Sequence, residues 1–225
     1  SKAQTFSSEQ NYIVTIIPTV ATSDISTLSN DEKITSVQYF DGLRRASQTV
    51  QCGITPSGAD LVSPIEYDSF GRSHKEWIPT PVHGNSGAFI RNLPDVALDI
   101  HDDYTPFTQN IYEASPLNRI VEVVGPGDYW RNPNKGVKTE YLTNENSGIL
   151  AATYYYVNGD QLVKDGVYSA GQLYVQKTMD EDGKTTYTFT DKLGQLILTR
   201  QINGTQYIDT YYVYDDFGNK RYVLP

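Results

Sequence analysis

A single cysteine, Cys52, occurs in 225 residues, which excludes an internal disulfide framework and any zinc site built from four cysteines. Histidine is almost as scarce: His74, His83 and His101 are the only three, and none falls in an H-E-x-x-H or H-x-x-x-H spacing, so the usual imidazole metal motifs are missing. No run of about 18 or more apolar residues occurs, so no segment has the length of a membrane-spanning helix. Basic residues are outnumbered 18 to 27, for a formal net charge of −9, and cluster only as Arg44-Arg45 and Lys220-Arg221. Phosphate-rich partners need clustered Lys and Arg that release counterions, so neither nucleic acid nor membrane insertion is expected. Helical periodicity over 11 or more residues is lacking as well, with only short candidates near 23–33 and 95–100.

What the chain does have is tyrosine, 18 residues of it, which together with Thr and Val favours extended structure. Thr185–Asp191 reads T-T-Y-T-F-T-D, placing Tyr187 and Phe189 on one face and threonines on the other. The same period of two runs through Val137–Tyr141, and through Gln195–Ile202 with Leu196, Leu198 and Ile202 sharing a face. The expected fold is all-β: an elongated, twisted antiparallel sheet of consecutive β-hairpins with little helix. A chain of this length can bury an adequate core without disulfides or a structural metal.

One short pattern recurs. Its clearest copies are Tyr67-Asp68-Ser69-Phe70-Gly71-Arg72 and Tyr214-Asp215-Asp216-Phe217-Gly218-Asn219; looser ones start at Asp41, at Asp180 with Gly183, and at Asp191 with Gly194, and a stretched relative runs from Tyr112-Glu113 to Asn118-Arg119. Asp at the first place of a four-residue turn can accept from the backbone two residues on, and Gly at the fourth supplies a left-handed φ. The combination predicts a type I turn with a Gly bulge closing a hairpin. In the Asp41 copy Arg44 takes the Gly place, at a cost of roughly 1 kcal/mol, so that hairpin is expected to close differently. Asn158-Gly159, Asp165-Gly166 and Asn203-Gly204 are further hairpin signals.

This Y-D-x-x-G-R grammar resembles the RHS or YD-repeat family. The phrases Tyr39-Phe40-Asp41-Gly42-Leu43, Pro64-Ile65-Glu66-Tyr67-Asp68, Lys75-Glu76-Trp77-Ile78-Pro79, Ser115-Pro116-Leu117-Asn118-Arg119 and Gly125-Pro126-Gly127 are similar to the N-terminal region of large RHS-repeat surface proteins of Bacteroides-type bacteria, a likeness covering about residues 11–225. The resemblance implies hairpins that can spiral into a shell around a C-terminal toxin, and export to the cell surface or beyond. Its partner would be the remainder of its own polypeptide. The family's Asp-Pro self-cleavage motif has no counterpart, since no Asp-Pro dipeptide occurs. The chain opens on Ser1-Lys2 rather than Met and ends just after a repeat; a removed export signal and a piece of a longer protein are expected. Residues 1–10 are expected to be a flexible tail and 11–225 a single β-rich domain, with a loop-rich insertion at 79–135 and a hairpin series at 136–225.

No cofactor or metal is expected. Asp99, His101, Asp102 and Asp103, with Asp95 before them, form the densest polar cluster; a solvated turn explains them better than a metal centre, as no second ligand group is identifiable. Asp180-Glu181-Asp182-Gly183 lacks the alternating acidic ligands of a calcium loop. Ser86 in Gly84-Asn85-Ser86-Gly87 misses the G-x-S-x-G elbow, and Cys52 reads as a small packed residue rather than a nucleophile. Asn203-Gly204-Thr205 fits a glycosylation sequon but reads first as a hairpin turn. Tyr154, Tyr155, Tyr156, Trp77 and Trp130 are the candidate binding aromatics, with cross-strand aromatic ladders as the structural alternative. The expected function is a non-enzymatic extracellular scaffold that displays or encapsulates an effector; the alternative is a surface adhesion module binding glycan or protein through exposed tyrosines.

Overall fold

The structure, a computed structural model, describes residues 6–131 and 135–225. It forms two compact units: the described residues up to Asn110 together with Val124–Arg131, and Ile111–Val123 together with the described residues from 135 to Pro225. Part of the tail expected at 1–10, residues 1–5, lies outside the described residues, as do 132–134 of the insertion expected at 79–135. The fold is all-β, antiparallel sheets of consecutive hairpins with one α-helix.

The first unit contains β1 (Asn11–Pro18), β2 (Lys33–Phe40), β3 (Ala46–Cys52), β4 (Asp60–Pro64), β5 (Lys75–Trp77), β6 (Thr80–Val82) and α1 (Leu93–His101), with β7 (Phe107–Tyr112) starting in it. Its main sheet runs β1-β2-β3-β4-β6, and β5 pairs with β7. Strict alternation in β2 to β4 sets one face inward, and the registers align its side chains in cross-strand rows. Tyr39, Gln48 and Pro64 form one row; Val37, Val50, Val62 and Thr80 the next; Thr35, Cys52, Asp60 and Val82 the last. The middle row and Tyr39 pack with Leu93 of α1 into the core. Phe6 packs against the same core, and the Ser7 hydroxyl accepts the Phe89 N–H at 2.9 Å.

The short helical signal near 95–100 is α1, which starts with a proline in its first turn and ends at Asp102 in the left-handed region. Near 23–33 there are only two single 3₁₀ turns, Ile25–Thr27 and Asn30–Glu32. Asp24 accepts from Ser26, and a Ser29–Glu32 capping box closes the second, so local side-chain bonds satisfy the turns before an α-helix extends.

The second unit contains β8 (Ile120–Val124), most of which belongs to it, then β9 (Val137–Thr143), β10 (Thr153–Asn158), β11 (Gln161–Val167), β12 (Tyr174–Met179), β13 (Thr185–Thr190), β14 (Leu196–Asn203), β15 (Gln206–Tyr214) and β16 (Lys220–Leu224). The strand order is β16-β15-β14-β13-β12-β9-β8, with β10 and β11 a separate hairpin. Tyr187 and Phe189 of β13 point into a core with Leu173, Val175, Leu198 and Tyr211. Asn158-Gly159 and Asn203-Gly204 sit at the β10–β11 and β14–β15 turns, both glycines at φ +62. Asp165-Gly166, expected to be a third hairpin, instead lies inside β11. Two residues there oppose Tyr154 alone, since Thr153 pairs with Val167 and Tyr155 with Lys164, and Gly166 at φ +68 absorbs the bulge.

Candidate functional site

The recurrent Asp turn has one geometry in five places. At Asp41, Asp68, Asp180, Asp191 and Asp215 the backbone carbonyl accepts the N–H of the third residue on, and the Asp N–H donates to the carbonyl of the fourth. One carboxylate oxygen, Oδ1, then accepts two more backbone N–H groups, from the second and fourth residues on, at 2.8–3.0 Å. Gly71, Gly183, Gly194 and Gly218 occupy the left-handed position at φ +78 to +82. The Asp41 hairpin, expected to close differently, closes the same way: Arg44 itself adopts φ +61 and donates to Asp41 O at 3.0 Å. The four bonds of the turn hold that conformation against its strain. Arg44→Gly is therefore expected to raise stability by about 1 kcal/mol; an unchanged or lower urea midpoint would show that the turn carries no strain there.

Neighbouring turns of the first unit interlock. Arg45 pairs with Asp41 and lies over the Tyr67 ring at 4.3 Å, while the Tyr67 hydroxyl donates to Ala46 O at 2.9 Å. Arg72 pairs with Asp68 and faces Phe70. In the stretched relative, Glu113 takes the Asp role: Arg119 donates to both its oxygens and Ser115 to one. The Arg119 bond, then that from Ser115, holds the Glu113 carboxyl down at about 2 from an ordinary 4.5.

A cavity bordered by buried polar side chains lies in the first unit at the end of its main sheet, where β2 begins, β3 ends, β4 begins and β6 has just ended. It has a volume of about 340 Å³. Its inner wall includes the row Thr35, Cys52 and Asp60, and Lys33, Ser57, His83 and Ser86 stand around it. Asp60, 4% exposed, clasps two rims together. Its Oδ1 accepts Gly53 N–H at 2.7 Å; its Oδ2 accepts Gly87 N–H at 2.7 Å and the Asn85 amide at 3.3 Å. Ser86 sits in the left-handed region at φ +54, a conformation that costs a non-glycine residue on the order of 1 kcal/mol. Thr35 is 2% exposed and its hydroxyl has no partner, at a cost of about 1–3 kcal/mol. Burial, and then the charge of Asp60, push the Cys52 thiol up to about 12, so it is a neutral thiol at physiological pH. Cys52 is therefore no activated nucleophile.

The other candidates are placed as follows. Tyr154 and Tyr156 stack at 5.7 Å on one face of β10, and Tyr154 meets Tyr168 edge-on. Tyr155 turns the other way, edge-on to Tyr211 of the core. Trp77 is buried, its ring 4.7 Å from Phe107 and its Nε1–H donating to Glu66. Trp130 packs edge-on against Tyr129, over Gly125. Trp77 is thus withdrawn from solution, and Tyr155 is half-buried against the core. In the acidic cluster, His101 Nε2 meets the Thr80 hydroxyl at 3.2 Å, Asp103 accepts Thr105 N–H at 2.6 Å, and Asp102 terminates α1. No group of three or more metal-ligating residues converges among the described residues.

The sequence motifs point to the turns but not to the cavity, whose residues come from three stretches, 30–35, 52–60 and 83–86, that meet only through strand register. The local signal is Gly84-Asn85-Ser86-Gly87, which the sequence shows only as a near miss of the nucleophile elbow.

Fold and turns together define a protein of serial, Asp-closed antiparallel hairpins. Residues 14–143 match the family described as Domain of unknown function (DUF6443), and the chain belongs to that family. No curated protein matches the chain.

Proposed function

We propose that this chain is a non-enzymatic extracellular β-scaffold, part of an exported protein of the RHS or YD-repeat type whose hairpins display or enclose an effector carried on the same polypeptide. The observation that carries this reading is the fivefold recurrence of one turn in which the Asp carboxylate bonds to the turn's own backbone. Residues spent in this way build geometry. Four of the turns also hold a large apolar side chain out in solution: Leu43, Phe70, Leu193 and Phe217 are 74%, 81%, 84% and 90% exposed. Exposed apolar surface of this kind suits packing against further chain.

The test is an immunoblot of fractions from the source cells. The scaffold reading expects the chain within a polypeptide much larger than its own 25.2 kDa, in the medium or the surface fraction. A species of about its own mass confined to the cytosol would overturn it.

A second reading, surface adhesion, is favoured by a groove of about 360 Å³ in the second unit. The register places Tyr141, Thr143, Tyr174 and Gln176 on one face of β9 and β12. Tyr174 is exposed and Arg119 lies over the Tyr141 ring at 4.4 Å. Glycan-array binding that disappears in Tyr174→Ser would favour adhesion, and no binding by the intact chain would end it.

A further inference from the structure

We propose that the cavity at the end of the first unit's main sheet binds a small neutral polyhydroxylated ligand, a monosaccharide or a polyol of similar size. The site is independent of the scaffold reading, and finding the chain in the cytosol would leave this proposal standing.

Three features of the site point to a ligand. The Thr35 hydroxyl is buried on the cavity wall with no partner. Hydroxyl groups in such positions are ordinarily paired, so this one is set for a partner that the described residues do not supply. On the opposite rim, Ser86 is held in a left-handed conformation by a turn whose next residue, Gly87, donates its N–H to Asp60. Strain of this type is concentrated where a loop must present a side chain in a fixed direction. Finally, the two rims are tied by the same buried carboxylate, so the cavity is already formed without a ligand and little ordering remains to be done on binding.

The lining decides the ligand class. Asp31 and Asp60 against Lys33 leave the cavity net negative, which disfavours phosphates and carboxylates. The Lys33 ammonium is also engaged, donating to Leu28 O at 3.0 Å. Among the described residues no aromatic or large aliphatic side chain lines the space, so a flat heterocycle or an apolar ligand would find no surface to cover. Instead, hydroxyls, amide and imidazole alternate as donors and acceptors around it: Asn30, Thr35, Ser57, His83 and Ser86. A ligand that both donates and accepts at each of its positions matches that lining, and a polyol does so. A volume of about 340 Å³ lies at the small end of ligand sites.

The test is an amide NMR titration of the whole chain with D-glucose, D-galactose, D-mannose, N-acetyl-D-glucosamine, L-fucose and myo-inositol, with inorganic phosphate and acetate as anionic probes. At least one neutral probe is expected to shift the amides of Lys33, Gly53, Gly58 and Ser86 saturably at roughly millimolar concentration. Thr35→Val keeps the side-chain shape and removes a hydroxyl that bonds nothing among the described residues, so the fold persists while affinity falls by about three- to tenfold. Ser57→Trp, a change at an exposed rim position, is expected to fill the mouth and abolish the shifts. Shifts from phosphate or acetate alone, no saturable shift from any neutral probe, or shifts that both variants leave unchanged would overturn the proposal.

Discussion

Arg200→Ala is expected to destabilise the second unit by about 3–5 kcal/mol. Arg200 is 5% exposed, on β14 between Leu198 and Ile202. Its Nε and Nη2 donate to the two oxygens of Asp209 on β15, both at 2.7 Å, and its Nη1 donates to Ile149 O at 2.7 Å and Ala151 O at 2.9 Å. The guanidinium also lies 4.8 Å from the Tyr207 ring centre. One side chain therefore joins the β14–β15 hairpin to the segment that precedes β10. Its removal leaves a carboxylate and two carbonyls short of donors, so the loss exceeds that of an exposed pair. Asp209→Ala is expected to cost a comparable amount, because it leaves the guanidinium buried and uncompensated. The combination Arg200→Met with Asp209→Leu is expected to recover much of the loss, since it removes both charges together. Urea unfolding followed by circular dichroism measures all three. A loss below about 1 kcal/mol for Arg200→Ala, the range of surface pairs, would show that the pair is solvated.

Asp60→Ala is expected to cost the first unit about 3 kcal/mol, since two backbone donors, Gly53 N–H and Gly87 N–H, would lose a charged acceptor at a buried site. The effect should extend beyond the strand: the β3–β4 connection and the turn after β6 are both fastened to this carboxylate. Asp60→Asn retains one acceptor oxygen and turns the other into a donor facing donors, so it should lose nearly as much. Both tryptophans, Trp77 and Trp130, belong to the first unit, so tryptophan fluorescence follows its unfolding. A midpoint unchanged by Asp60→Ala would show that the clasp contributes nothing.

The turns were legible in the sequence because their chemistry is local. Asp and Gly three residues apart specify a carboxylate acceptor and a left-handed backbone within one hairpin. The T-T-Y-T-F-T stretch was equally plain, as its period of two needs no knowledge of partners. Asp165-Gly166 misled because the same dipeptide serves a turn or a bulge, and only the pairing of β10 with β11 decides which. Arg44 misled differently: its propensity opposed the turn, but the hydrogen bonds of Asp41 outweighed it. The stripe Leu196, Leu198 and Ile202 left Arg200 unmarked on a core-facing strand, because an arginine inside is intelligible only with Asp209 and two distant carbonyls in view. The cavity was invisible for the same reason. Thr35, Cys52 and Asp60 become neighbours only through the register of β2, β3 and β4.

The account rests on the Asp turn as an ionic clasp, and its carboxylates report on that directly. At Asp41 and Asp215 the backbone N–H of the fourth residue on, Arg45 and Asn219, holds the carboxyl below its ordinary value. At Asp68 burial works the other way, but the Arg72 N–H and guanidinium with the Phe70 N–H prevail, and the net shift is again downward. A depressed folded-state value means that the clasp stabilises the fold above the ordinary aspartate value, about 3.9, and that this contribution is lost as pH falls through the lower folded values. The decisive measurement is a carbon-detected NMR titration of the Asp41, Asp68 and Asp215 carboxyls beside an aspartate in an unstructured peptide. The account predicts that all three titrate below the peptide. Titration at the peptide value would contradict it, because at these three the bonds from the turn backbone, joined by the side chains of Arg45, Arg72 and Asn219, favour the charged carboxylate.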